Sequence, residues 1–140
     1  MDTSFFSHLN WLAVGAAAVA YFFLGALWYS MLFAKQWIRG TGIDPNAPGA
    51  KSGAGGIMFV TLILEFVICI GLAVLIDRLN LYGTWMSGLK LGLFTGICFS
   101  GMAIAISYLY QRKNMLSVID GGYHLVGQIF AAIILCSWPA

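Results

Sequence analysis

Four apolar stretches, each long enough to cross a lipid bilayer, take up nearly all of this chain. The first, WLAVGAAAVAYFFLGALWYSMLFA at residues 11–34, carries no charge. As a helix it is ~36 Å long, enough to cross the hydrocarbon with some tilt. Three further runs follow: about 53–77, interrupted by Glu65; about 84–110, with Lys90 a turn or two in; and about 115–138, with Asp120 near its start. Barrel strands alternate every second residue over about ten positions, whereas these runs are apolar all round and longer. Backbone groups in lipid must be satisfied internally, so helices are the expected solution. The predicted fold is therefore an all-α membrane protein, an antiparallel bundle of four transmembrane helices at about 10–34, 53–77, 84–110 and 115–138. They form one domain spanning 1–140.

Charge supports this reading. Only 9% of the 140 residues are charged, against about 25% in soluble domains. So few charges can neither coat a soluble globule nor keep a chain disordered. The net charge of +2 is too small and scattered for a nucleic-acid surface. The preceding MDTSFFSHLN has no Lys or Arg, and the first run is longer than a signal core, so a span is expected there.

The connections set the topology. Residues 35–52, KQWIRGTGIDPNAPGAKS, are rich in Gly and Pro and read as the one extended loop. Residues 77–83 and 111–114 are short turns that force neighbouring helices antiparallel. Lys35, Arg39, Lys51, Arg112 and Lys113 fall on one side, Arg78 and Lys90 on the other. The positive-inside rule then predicts a cytoplasmic 35–52 loop and both termini outside. Trp11, Trp37, Tyr82, Trp85, Tyr108, Tyr110 and Trp138 lie near span ends, as an aromatic belt requires.

Helix packing has its own signature. Gly88, Gly92, Gly96 and Ser100 recur every four residues. That spacing lines one helix face with small side chains and lets another backbone approach closely, from this chain or a second copy. Cys69, Cys98 and Cys136 lie at different depths inside spans and read as small core residues.

An ionisable group within the membrane needs a reason. Glu65 sits near the middle of its span, in a stripe with Thr61 and Cys69. It reads either as a proton or cation site or ligand anchor, or as a protonated carboxyl bonded to a neighbouring helix. Asp120, His124 and Gln128 form a second stripe, in which Asp120 is placed to accept from the His124 imidazole. By helical rise Glu65 lies roughly 12 Å and His124 roughly 10 Å from the same side, so the two share a layer. Trp28 and Tyr29 fall just below it. A metal site is disfavoured, because two ligands on separate helices lack a convergent set. Lys90 reads as a snorkelling lysine. Tyr21 and Trp28 share a face with Gly25 between them, either as core or as an aromatic pocket for a small ligand.

Several local motifs recur together in one family. They are Asn10-Trp11-Leu12-Ala13-Val14, Gly25-Ala26-Leu27-Trp28-Tyr29-Ser30 with the Gly42 to Pro45 turn, Gly88-Leu89-Lys90-Leu91-Gly92, and Gly122-Tyr123-His124-Leu125-Val126-Gly127. In this set and order the chain resembles the family catalogued as domain of unknown function 1761. The resemblance implies a four-span membrane protein of bacteria and some fungi, and hence a bacterial inner membrane. It draws attention to Trp28, Tyr29, Lys90, Tyr123 and His124, and it implies no catalytic role. Met31 stands where the family usually has proline, so a proline kink has no proline to make it.

Three functions follow as expectations. The first is an oligomeric transporter or channel-like protein for a proton, cation or small polar solute, using Glu65 and His124. The second is a structural or assembly subunit packing through the Gly88, Gly92 and Gly96 groove. The third is a membrane-embedded binder of a lipophilic molecule such as a quinone or haem, at His124, Tyr123, Trp28 and Tyr21. An enzyme is disfavoured, since no nucleophile–base pair, metal set or phosphate loop appears. No cofactor and no nucleic acid is expected; the expected partners are the bilayer, further copies of the chain and a small polar or lipophilic ligand.

Overall fold

The computed structural model describes residues 4–138, and these are helical with short connections. Helix α1 (Trp11–Leu27) is capped by Asn10, whose Oδ1 accepts from the Ala13 amide at 3.1 Å. It runs on into a π-helical turn, Trp28–Leu32. A short helix α2 (Ala34–Thr41) follows, and then α3 (Ala54–Leu79). Helix α4 (Trp85–Thr95) continues through a second π segment, Gly96–Gly101, into α5 (Met102–Gln111). Helix α6 (Asn114–Ser137) is the last helix of the described residues, with Trp138 following it. The four lengths able to cross a membrane are Trp11–Leu32, Ala54–Leu79, Trp85–Gln111 and Asn114–Ser137. They match the expected spans closely, and the fold is the all-α bundle that the apolar runs require.

Two local features depart from the sequence reading. The 35–52 segment is not loop throughout, because Ala34–Thr41 is helical. Its half-buried side, with Trp37, Ile38 and Gly40, faces the bundle, and Lys35 and Arg39 point outward. Gly40 lies against Leu116 at the start of α6. Gly42, at φ +74°, ends the helix in a left-handed conformation that suits glycine. The second departure is at Trp28–Leu32. Even with Met31 in the proline position, the helix widens there, with the Phe33 amide bonded to the Trp28 carbonyl at 2.9 Å. It then breaks at Phe33. The distortion thus needs no proline.

Helix α6 is the axis of the bundle, packing on α1, α3, α4 and α5. Its closest approach is to α4. A Cβ at Gly88 would lie 2.5 Å from the Ile133 Cα, and one at Gly92 would run into the Ile129 backbone. At Gly96 it would meet Leu125. The glycine face is therefore filled by a helix of the same chain. Antiparallel order brings the start of α1 and the end of α6 to one end of the bundle. There the Gly83 amide donates to the Cys136 carbonyl at 2.8 Å and ties the α3–α4 turn to α6.

Candidate functional site

Glu65, Ser100, Tyr21, Tyr29 and Tyr108 converge from the other spans on α6. Tyr123, Asp120, His124 and Gln128 project from it toward the other three spans, and each finds a partner there. Glu65, at 2% exposure, faces inward from α3. Tyr123 donates its hydroxyl to the Glu65 Oε1. Oε2 of the same carboxyl is buried and, among the described residues, has no hydrogen-bond partner. One lone oxygen in an apolar interior is costly, whether it is charged or not.

Tyr21, fully buried on α1, occupies the neighbouring position. Its hydroxyl lies 2.7 Å from His124 Nδ1 and 3.2 Å from the His124 carbonyl. The Tyr21 and Tyr123 rings are 5.4 Å apart, and Tyr123 also reaches the Tyr21 carbonyl at 3.4 Å. Glu65 and His124 are thus held by two touching tyrosines. The imidazole is not held by Asp120, as its position one turn away suggested. Asp120 accepts instead from Tyr29 at 2.8 Å and Tyr108 at 2.5 Å. Long tyrosines from α5 and from the π turn after α1 reach the carboxylate, whereas the next turn of α6 presents its imidazole to α1.

Trp28 donates Nε1–H to the Ile119 carbonyl at 3.1 Å. The Tyr29 ring packs edge-on to Tyr123 at 5.2 Å and to Trp37 at 5.8 Å. One turn deeper, Gln128, itself buried, donates to the Ser100 hydroxyl from the second π segment. Ser100 therefore continues the glycine face as a polar partner rather than as mere small bulk. Both π segments lend side chains to this network, as such turns often do at functional sites.

Other expected members lie apart. Lys90 is exposed on the bundle surface. Thr61 turns back on its own helix, donating to the Ile57 carbonyl at 2.8 Å. The space beside Gly25 is not an open aromatic pocket, because the Tyr123 hydroxyl fills it, 2.8 Å from where a Cβ would stand. Among the described residues, no three His, Cys, Asp or Glu side chains come together as a metal would need. Tyr108 is the member that sequence reasoning placed only in the aromatic belt. Its signal was the short turn at Arg112 and Lys113, which lays the last turn of α5 beside the second turn of α6.

Helices of this length and apolarity make the chain a multi-pass membrane protein. Within that class it belongs to the DUF1761 family, described as a protein of unknown function, whose family model matches residues 12–136. The Trp28-Tyr29 and Tyr123-His124 motifs that carry the family resemblance both lie in the polar network. No curated protein and no solved structure matches the chain.

Proposed function

We propose that this protein moves protons across the membrane, with Glu65 as the group that takes up and releases the proton and His124 as a second station. One observation carries the reading. The Glu65 carboxyl is enclosed at mid-span with one oxygen held by Tyr123 and the other, among the described residues, unpartnered. A structural carboxyl would be expected to satisfy both oxygens. An open oxygen beside a tyrosine, next to a tyrosine–histidine pair, suits a group that exchanges a proton.

The enclosure favours a proton over a hydrated solute. Tyr21, Tyr123 and Glu65 are each at most 4% exposed. A proton can pass between hydrogen-bonded groups without carrying its water shell, whereas a metal cation needs several ligands in its place. Asp120, with Tyr29 and Tyr108, lies toward the predicted cytoplasmic end and would serve as the inner relay. The converging groups belong to one chain, so the reading does not require a path between subunits.

Purified protein in liposomes loaded with a pH-sensitive dye tests it. A potassium diffusion potential should drive proton uptake well above that of empty vesicles. Glu65→Gln and His124→Ala should each abolish the excess. Uptake unaffected by both changes would overturn the reading.

A further inference from the structure

A cavity of about 720 Å³ opens at the end of the bundle away from Asp120, where the start of α1 meets the ends of α3 and α6. Its size is that of a small-molecule site. Ala13, Ile76 and Leu135 form an apolar floor, and all three belong to the buried core. Asp77, Tyr82 and Trp138 stand around it.

Charge on this lining is one-sided. Among the described residues that line the cavity, Asp77 alone bears a formal charge when histidine is counted neutral, and no lysine or arginine is present. The Tyr82 hydroxyl donates to Asp77 Oδ1 over a long 3.4 Å. Burial first, and then the neighbouring Asp77 carboxylate, hold the Tyr82 phenol above its ordinary range, so it adds no second negative charge at neutral pH. Aromatic rings beside a carboxylate attract organic cations, through the ring faces and the charge together. The apolar floor asks for a hydrocarbon body on the same molecule.

We infer that this cavity binds an organic cation of the ammonium type, its charge against Asp77 and its apolar body on Ala13, Ile76 and Leu135. The cation is either free or the headgroup of a lipid. The site is separate from the Glu65 network and does not rest on proton transport.

Calorimetric titration of the full chain in uncharged maltoside micelles tests the inference. Benzyltrimethylammonium is the free cation, and neopentylbenzene is its uncharged isostere. The cation should bind saturably and the isostere at least about tenfold more weakly. Asp77→Asn should weaken the cation by about tenfold or more and leave the isostere unchanged, while Asp77→Glu should keep most of the cation's affinity. Trp138→Ala should weaken the cation several-fold. A short-chain phosphatidylcholine that binds with the same Asp77 dependence assigns the occupant to a lipid headgroup; binding of benzyltrimethylammonium alone assigns it to a free cation. Absence of saturable binding, equal affinity for the isostere, or an Asp77→Asn variant that binds the cation unchanged would each overturn the inference.

Discussion

Tyr123 gives its hydroxyl to one oxygen of Glu65 and leaves the other buried without a partner among the described residues. The pair joins α3 to α6 at the centre of the bundle. Removing one member leaves the other's polar atoms stranded, and removing both does not. Tyr123→Phe is expected to lower stability by about 1–3 kcal/mol. Adding Glu65→Met to that variant should recover a large part of the loss. Unfolding of the single and double variants in micelles measures the coupling, and strictly additive losses would show that the two groups do not act as a pair.

The glycines divide sharply by what lies beside them. Gly88 and Gly92 abut the α6 backbone, which cannot yield as a flexible side chain would. Gly92→Ala is expected to cost about 1–3 kcal/mol or more by overpacking. Gly71, on α3, has nothing within 4 Å of its added Cβ. Gly71→Ala should therefore stabilise the helix by roughly 0.5–1 kcal/mol. Melting temperatures of the two variants should move in opposite directions.

Gly127 gives a more selective test. A Cβ there would collide with the ring of Tyr21, the residue that holds His124. Gly127→Ala should lower both stability and proton uptake. Trimming the ring with Tyr21→Leu in the same chain should restore much of the stability but not the uptake, because the imidazole then lacks its hydroxyl partner. Restored uptake would remove Tyr21 from the proposed route.

The orientation predicted from the positive charges can be read with a membrane-impermeant thiol reagent. Cys98 is exposed, whereas Cys69 and Cys136 are buried, so a Cys98→Ser background is the starting point. Ser52→Cys should react only after the membrane is opened, and Leu79→Cys should react in intact cells. The reverse pattern would invert the topology.

The spans were legible because length and apolarity are local properties that no neighbour alters. The face of Gly88, Gly92 and Gly96 was legible for a similar reason, since a four-residue period survives any packing. What lies opposite that face was not, because it depends on how α6 is rotated. Glu65 and His124 could be placed at one depth by counting residues. Their actual partners, Tyr123 and Tyr21, depend on the rotation of α1 and α3 about their own axes. Asp120 and His124 looked like a pair because they sit one turn apart on α6. Tyrosines on other elements reach each of them first. Helix α2 was hidden by composition, since the glycines and prolines of residues 42–49 mask the helical stretch before them.

The π segment at Gly96–Gly101 acts as a phase shift within one span. In an unbroken α-helix, Tyr108 would stand about 160° around the axis from Gly92, facing away from α6. One extra residue in the turn takes back about 100° of that angle. The upstream half can then press its glycines against α6 while the downstream half still aims Tyr108 at Asp120. Deleting a residue such as Ile97 would regularise the helix and keep that phase, since fifteen α-helical steps again leave Tyr108 about 60° from Gly92, whereas a regular helix that kept every residue would swing Tyr108 off the carboxylate or the glycines off their seat.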